Sequence, residues 1–239
     1  MRLNAYLADC GAASRRKSEA LVLEGRVRVN GKIVLAPFFN VDPDSDEVLL
    51  DGTPIGSLSK VYVVMNKPAG VVCAVSDKYD PVVVDLLPED IRAKRVFPAG
   101  RLDRETEGLL ILTNDGAFAQ RILHPSQGIV KEYEVLLNIP INEKQLERWR
   151  GGFEVEGRHV RPLNLEVMGR EPSMRWVRIA IGEGLKREIR TMANLAGFAV
   201  ESLFRRKIGG MELKKLQTGQ FAELSFSDIY TKITEGGSV

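Results

Sequence analysis

Asp103 lies in a short polar turn between two apolar runs, and its position suits a reactive group. The runs cover residues 95–99 and 109–112. A scaffold can fix such a loop while leaving it open to a cleft. Arg101 and Arg104 flank the aspartate, so we expect them to favour its ionised form. An ionised carboxylate suits a nucleophile or a charge stabiliser better than a general acid. The alternative is a solvated turn that carries charges of both signs.

The residues around Asp103 form a longer pattern that resembles a known family. The pattern comprises Gly100-Arg101-Leu102-Asp103, Thr106-Glu107-Gly108-Leu109-Leu110 and Leu112-Thr113-Asn114-Asp115-Gly116. It resembles the catalytic signature of the RsuA family of pseudouridine synthases, in which the aspartate of Arg-Leu-Asp is the nucleophile. Three further matches are Asn66-Lys67-Pro68-Ala69-Gly70, His124-Pro125 with Lys131-Glu132-Tyr133, and Glu183-Gly184 with Glu188-Ile189-Arg190. The resemblance covers essentially the whole chain.

The resemblance implies a uridine pocket made by Arg101, Tyr133 and Arg190 around Asp103. In the family the tyrosine of Lys-x-Tyr stacks against the target base, and a flipped base needs an aromatic platform to offset its lost stacking. Half-buried packing is the alternative for a tyrosine at the start of a strand. Arg190 corresponds to a buried arginine that pairs with the catalytic carboxylate. Without such a partner, an aspartate in a dry pocket would protonate and lose nucleophilicity.

The chain departs from the family pattern just before Arg190. The family has Gly-Arg-Asn-Arg-Gln/Glu-Val-Arg-Arg, whereas this sequence has Gly184-Leu185-Lys186-Arg187-Glu188-Ile189-Arg190-Thr191. An arginine and an asparagine are therefore replaced by Leu185 and Lys186. We expect this departure to affect the choice of target site and to leave the chemistry in place.

The composition favours an ordinary globular protein without a metal site. The chain has 239 residues, 44% of them hydrophobic and 28% charged, with a net charge of +2. Cys10 and Cys73 lack a Cys-x-x-Cys partner, and His124 and His159 are too few for a histidine metal cluster. The first residues contain no apolar signal-peptide core, and no apolar run is long enough to span a membrane. We therefore expect a cytoplasmic monomer that needs no cofactor.

Basic residues cluster in the first 35 positions. Three acids accompany seven basic residues, which are Arg2, Arg15, Arg16, Lys17, Arg26, Arg28 and Lys32. Apolar spacing predicts a helix that ends at Gly11 and a second helix from a Ser14 cap to Gly25. A hairpin follows with Asn30-Gly31 as its turn. Cations in the first turn of the second helix oppose its dipole, which favours phosphate binding there over a merely solvated basic face.

The same segment resembles the S4-type RNA-binding domain. The matching residues are Arg2-Leu3, Leu7, Gly11, Ser14-Arg15-Arg16, Gly25-Arg26-Val27 and Val29-Asn30-Gly31. The resemblance implies docking on folded ribosomal RNA. A second basic cluster is formed by Arg205, Arg206 and Lys207 together with Lys214 and Lys215, and we expect it to contact phosphates.

The predicted fold class is α+β, with an S4-type helix-helix-hairpin domain at residues 1–58 and a pseudouridine-synthase domain at 59–239. Gly56-Ser57-Leu58-Ser59 is the expected linker. Strands and helices mix without strict alternation, which favours a largely antiparallel sheet. The family resemblance implies that this sheet is mixed and curved, with flanking helices. We expect strands near 61–65, 109–112, 133–137, 163–167, 175–181 and 221–226, and helices after 115, at 142–149 and at 188–196.

These observations predict an enzyme that isomerises one uridine of ribosomal RNA to pseudouridine. Asp103 would attack C1′ of the sugar, attack C6 of the base, or promote a glycal intermediate. One alternative is a ribosome-assembly factor that only binds RNA. Another is a hydrolase that cleaves a glycosidic bond with paired carboxylates such as Asp103 and Glu107. The modified nucleotide and the ribosomal subunit that carries it remain open.

Overall fold

The computed structural model describes residues 1–155, 157–169 and 174–235. Its helices are α1 Leu3–Asp9, α2 Arg15–Leu23, α3 Glu89–Arg92, α4 Gly116–Leu123, α5 Glu143–Gly151, α6 Glu188–Leu195 and α7 Phe226–Thr234. The strands of the first part are β1 Val27–Val29, β2 Lys32–Ile33, β3 Val48–Leu50 and β4 Thr53–Pro54. Those of the second part are β5 Tyr62–Lys67, β6 Phe97–Ala99, β7 Glu107–Thr113, β8 Lys131–Leu137, β9 Phe153–Val155, β10 Arg158–Val160, β11 Asn164–Met168, β12 Trp176–Ile181, β13 Val200–Ile208, β14 Met211–Glu212 and β15 Phe221–Leu224.

The N-terminal part folds as the helix-helix-hairpin order predicts. Ser14 caps α2, and the β1–β2 turn places Asn30 and Gly31 at positive φ, as a tight hairpin requires. Two further strands complete a four-stranded sheet in the order β2-β1-β3-β4. A small core of its own joins α1, α2 and this sheet; its members include Leu3, Leu7, Val22, Val27 and Val48. This part therefore has the elements and the core of a small domain.

The larger part is built on a nine-stranded sheet. Its main path is β11-β12-β8-β13-β7-β5-β15, with β14 added to β13 and β6 added to β7. Among the strand pairs of the described residues, β13–β7 is parallel and the others are antiparallel. The sheet is thus mixed and largely antiparallel, as expected. Strands β9 and β10 form a separate hairpin.

Strand β7 lies between two hydrophobic cores and is buried on both faces. Leu110 and Leu112 belong to one core, while Leu109 and Ile111 belong to the other. Successive side chains of a strand point to opposite faces, so this run supplies both cores at once. That double burial explains why the sequence shows a continuous apolar run here instead of alternation. The strand leads directly out of the Asp103 turn, which it holds rigidly.

The central strand β13 and the helix α7 lay outside the elements predicted from sequence. Strand β13 pairs with both β8 and β7. It carries Arg205, Arg206 and Lys207, and its register shifts between Arg205 and Lys207. Charged residues and an irregular register break the period-2 pattern from which strands are predicted. The basic cluster expected at 205–207 is therefore part of the middle of the sheet.

The expected linker lies between β4 and β5 and is held against α1. The Leu58 amide donates to the Asp9 carbonyl at 3.3 Å, and Lys60 pairs with the Asp9 carboxylate at 2.7 Å. The positive φ of Gly11 favours a glycine at this position, and an added Cβ would lie 2.8 Å from the end of the Leu58 side chain. Across the described residues, every helix falls short of the length and apolarity that a membrane span requires.

Candidate active site

The Asp103 turn connects the paired strands β6 and β7. The strands meet with Ala99 opposite Ile111, and Gly100 leaves β6 at positive φ. The amide of Thr106 donates to the Asp103 carbonyl at 3.0 Å, which closes the turn. The Asp103 side chain is 32% exposed, so it is accessible from the cleft without being fully solvated.

Lys67 holds the backbone on the C-terminal side of Asp103 in place. It is the last residue of β5 and is fully buried. Its Nζ donates to the carbonyl oxygens of Pro68 at 2.8 Å, Arg104 at 3.0 Å and Thr106 at 2.8 Å. The three hydrogens of the ammonium are thus all used. Burial lowers the pKa of Lys67, and these three carbonyls compensate part of the lost hydration.

Of the cations expected beside Asp103, Arg190 lies against its carboxylate as predicted, whereas the described structure shows no ion pair of Asp103 with Arg101 or Arg104. Within 4.0 Å of its carboxylate, the described residues place nitrogens of Arg187 and Arg190, at 3.5 and 3.8 Å from Oδ2. Arg104 instead pairs with Asp80 at 3.1 Å, while Arg101 is exposed and lines the cleft. Residues adjacent in a turn project in different directions, so sequence proximity overestimated their interaction with Asp103.

Arg187 is the N-cap residue of α6 and Arg190 lies in its first turn, so both reach Asp103 from the start of that helix. The Arg190 side chain is 15% exposed, and its Nη1 donates to the Val200 carbonyl at 3.2 Å. Its Nε, directed at Asp103, lacks a hydrogen-bond partner within the described structure. Burial lowers the pKa of Arg190, and Arg187 adds to that effect while Asp103 opposes it.

Tyr133 and Arg205 line the cleft beside Asp103. Tyr133 is 7% exposed, and its hydroxyl oxygen accepts from Arg205 Nη1 at 3.5 Å. Arg205 Nε also donates to the Leu109 carbonyl at 2.7 Å. The sequence predicts that Arg205 contacts phosphates as part of a second basic cluster, whereas the structure buries its side chain beside Tyr133. The β13 pairing turns this side chain toward the cleft, where it is 5% exposed.

The other basic residues expected to bind RNA are exposed or partly exposed. Arg15, Arg16 and Lys17 are exposed in the first turn of α2, and Arg2, Arg28 and Lys32 are exposed as well. Three more residues are neutralised in part: Arg26 pairs with Asp51 at 2.6 Å, Arg206 with Glu134 at 2.7 Å and Lys207 with Glu132 at 3.4 Å. The exposed set at the start of α2 is therefore the strongest remaining candidate for phosphate contacts.

The cleft around Asp103 has a volume of about 910 Å³ and a strong excess of positive charge. Three acidic residues, Asp103, Glu183 and Glu188, line it. Eight basic residues line it too: Arg101, Arg104, Lys131, Arg158, Lys186, Arg187, Arg190 and Arg205. Such a concave, cationic surface suits a polyanionic ligand.

Besides Arg190, two further charged groups in the cleft are desolvated. Burial raises the pKa of Glu188, which is 4% exposed and accepts a hydrogen bond from the Leu185 amide at 3.0 Å. Burial lowers the pKa of Lys131, and the charge of Arg205 acts in the same direction. Within the described ranges, no cluster of three or more histidine, cysteine, aspartate or glutamate side chains could hold a metal ion.

Strand β7 requires a glycine where it pairs with the central strand β13. Gly108 has φ +103°, and a Cβ there would lie 2.3 Å from the Arg205 carbonyl oxygen and 2.7 Å from its nitrogen. No side chain fits that space. The close approach allows the parallel β7–β13 pairing, which pairs Arg205 with Gly108. The glycine thereby sets the position of Arg205 relative to the Asp103 turn.

Comparison with known proteins identifies this arrangement. Residues 61–195 match the family described as RNA pseudouridylate synthase, and residues 1–59 match the S4 domain. This chain belongs to the RNA pseudouridylate synthase family. It is therefore an isomerase that converts uridine to pseudouridine in RNA, and the resemblance to the RsuA-type synthases is confirmed.

Relatives of this pseudouridine synthase match it over nearly their full lengths. An uncharacterized RNA pseudouridine synthase of Aquifex aeolicus is 39% identical over 96% of this chain and 92% of its own. Ribosomal large subunit pseudouridine synthase B of Bacillus subtilis is 35% identical over 94% of this chain and 92% of its own. A crystal structure of a pseudouridylate synthase superposes with a TM-score of 0.69 at 28% identity, over 97% of this chain and 99% of that one.

Two side chains of the synthase site were missed as site residues. The sequence assigns Lys67 no role of its own, although it lies in the Asn66-Lys67-Pro68 match to the family pattern. Arg187 received no role, although the family pattern has an arginine at its position. The signal for both was present in the sequence. What was lacking was the direction in which each side chain points.

Proposed function

We propose that this synthase modifies ribosomal RNA and that Asp103 is its nucleophile. The observation that carries the proposal is the placement of Asp103 in a cationic cleft, paired with Arg187 and Arg190. These two cations lie against the carboxylate that would act as the nucleophile. The excess of positive charge around it would hold the backbone of an RNA strand.

The chemistry requires one bond to break and another to form within a single nucleotide. The N1–C1′ glycosidic bond breaks, the uracil turns while it stays in the cleft, and a C5–C1′ bond forms. C5 loses its proton and N1 gains one, so the isomerisation is redox-neutral and balanced. Tyr133 would provide the face on which the flipped base stacks. Asp103 would act on the sugar or the base, and the fixed Arg190 would hold its carboxylate in position.

Two features support ribosomal RNA as the substrate. The S4 domain presents Arg15, Arg16 and Lys17 at the start of α2, where the helix dipole and the side chains both favour a phosphate. The Bacillus subtilis relative is named for the large ribosomal subunit, which suggests large-subunit RNA for this chain too. In this proposal the S4 domain docks a folded segment and the cleft receives one extruded uridine.

Pseudouridine mapping in cells tests this function. Ribosomal RNA from a strain that lacks the protein should lose at least one pseudouridine, and expression of the wild-type chain should restore it. An Asp103→Asn variant expressed at the same level should not restore it. An unchanged pseudouridine map in the deletion strain would contradict ribosomal RNA as the substrate.

A further inference from the structure

The two arginines that pair with Asp103 are held very differently. Arg190 is 15% exposed, and its Nη1 is fixed to the Val200 carbonyl at 3.2 Å. Arg187 is 54% exposed, and its Nη1 lies 3.5 Å from Asp103 Oδ2. Arg190 is thus a permanent partner of the carboxylate. Arg187 can leave the carboxylate by rotation of its own side chain, because little of that side chain is packed.

The chain positions Arg187 over Asp103 by an unusual backbone conformation. Arg187 has φ +55°, a left-handed conformation that a residue with a Cβ seldom adopts. The buried Glu188 holds the preceding loop by accepting a hydrogen bond from the Leu185 amide. Strained backbone persists where the surrounding structure enforces it, often at functional sites. This backbone conformation directs the exposed Arg187 side chain into the opening of the cleft.

Arg187 lies beside the carboxylate that would face a flipped uridine. Its Nη1 is 3.5 Å from Asp103 Oδ2, and both residues line the cleft. The nucleotide carries a phosphate on each side of its sugar. An arginine displaced from the carboxylate would therefore meet a new anion at the same place, and arginine binds phosphate in a bidentate manner.

We propose that Arg187 binds a backbone phosphate beside the flipped uridine and leaves Asp103 to do so. This inference rests on the proposed function, since it assumes that Asp103 faces the extruded nucleotide. Arg187 is then a substrate-binding residue that also covers Asp103 in the empty enzyme. The carboxylate and the RNA compete for the same guanidinium, so each weakens the binding of the other.

A double-mutant cycle on RNA affinity tests this competition. The four proteins are the wild type, Asp103→Asn, Arg187→Gln and the double variant. The probe is a ribosomal RNA hairpin whose target uridine is replaced by pseudouridine, so that no protein can turn it over. Asp103→Asn should bind this RNA about two- to fivefold more tightly than wild type, as expected for release of an exposed ion pair. When Arg187→Gln is already present, Asp103→Asn should raise the RNA affinity only by the effect of removing one negative charge from the cleft.

Glu183→Gln provides the matched control for charge removal. Glu183 lines the same cleft, and no ion pair joins it to Arg187 within the described residues. Its effect on affinity should be the same with and without Arg187.

In addition, Arg187→Gln alone should lower the slope of log K against log salt by about 0.7–0.9, the value for one lost phosphate contact. Melting temperatures would establish that all variants are folded.

Equal gains from Asp103→Asn in both backgrounds would overturn the proposal, as would an unchanged salt slope in Arg187→Gln. The cycle is measured by affinity alone. If the cycle is additive, the proposal for Arg187 fails, but Asp103 can still form pseudouridine. If the wild type forms no pseudouridine, the proposed function fails, and the cycle can still be interpreted. The two failures are therefore distinguishable.

Discussion

The carbonyl oxygen of Arg104 lies 3.0 Å from the buried ammonium of Lys67, and this contact joins the Asp103 turn to the end of β5. Lys67 belongs to a strand between β7 and β15, whereas Arg104 follows Asp103 directly. One buried cation thus fixes the Asp103 turn against the end of β5. The contact explains how a polar turn can be both open to a cleft and fixed in place.

Replacement of Lys67 by methionine should destabilise the fold and the turn together. The methionine fills similar space but leaves the carbonyls of Pro68, Arg104 and Thr106 without their donor. The cost should be about 2–4 kcal/mol, since each buried unsatisfied group costs about 1–3 kcal/mol and loss of the desolvated charge offsets part of it. Denaturant unfolding measures it. Lys186→Met, at an exposed position, is the control and should change stability by less than about 0.5 kcal/mol. Equal stability of the Lys67 and Lys186 variants would contradict this role.

Gly108→Ala should disrupt the parallel contact between β7 and β13. Its Cβ would collide with backbone atoms of Arg205, which cannot move without breaking the sheet. We expect a loss of about 3 kcal/mol or more, or failure to fold. Gly116→Ala is the matched control. It lies at the start of α4 with open space around its Cβ position, so it should leave stability unchanged or raise it by up to about 1 kcal/mol. A Gly108→Ala protein as stable as the Gly116 variant would show that the sheet tolerates the extra carbon.

The sequence allowed the fold class and the location of the site to be predicted because local signals and the overall structure agree there. The run at 109–112 is apolar because both faces of β7 are buried, and Ser14 and Asp115 cap helices as their side chains suggest. The Asp103 turn stood out because polar residues interrupt two such buried segments.

The sequence could not show which distant side chains meet. Arg205 looked like a member of an exposed basic cluster, yet strand pairing with Tyr133 turns it into the cleft. Arg101 and Arg104 looked like the partners of Asp103, yet α6 supplies the cations that reach it. Contacts of this kind depend on sheet register and on the direction of each side chain. Neither is encoded in local composition.

The basic residues at the start of α2 should set RNA affinity without affecting chemistry. Replacement of Arg15, Arg16 and Lys17 by glutamine should weaken binding to a ribosomal RNA hairpin and lower the salt slope by about 0.7–0.9 per lost phosphate contact. Turnover at saturating RNA should change little. Arg26→Gln is the control, because two acidic side chains already neutralise that arginine. A triple variant with the salt slope of the wild type would exclude this surface from phosphate binding.

Tyr133 should hold the flipped base in the cleft. Tyr133→Phe keeps the aromatic face, so its RNA affinity should stay within about twofold of wild type. Tyr133→Ala removes the face and should lower turnover by about 5- to 150-fold, the equivalent of about 1–3 kcal/mol of base stacking. Single-turnover rates at saturating RNA separate this effect from binding. Modification by folded Tyr133→Ala at the wild-type rate would reduce Tyr133 to core packing.

The central claim is that the Asp103 carboxylate performs the reaction. Pseudouridine formation by purified wild type and Asp103→Asn, in a ribosomal RNA transcript with a mapped target, tests it most directly. The substitution keeps the shape of the side chain and removes its charge and nucleophilicity. Loss of an anion beside Arg187 and Arg190 should cost only modest stability, which a melting curve would reveal.

The wild type should form pseudouridine and release no free uracil, because the base is rejoined to the same sugar. Asp103→Asn should form no detectable product while it still binds the RNA, and Glu107→Gln, the other carboxylate of a paired-acid hydrolase, should remain active. Free uracil released by the wild type would indicate hydrolysis instead of isomerisation. Robust pseudouridine formation by well-folded Asp103→Asn would contradict the assignment of the catalytic residue.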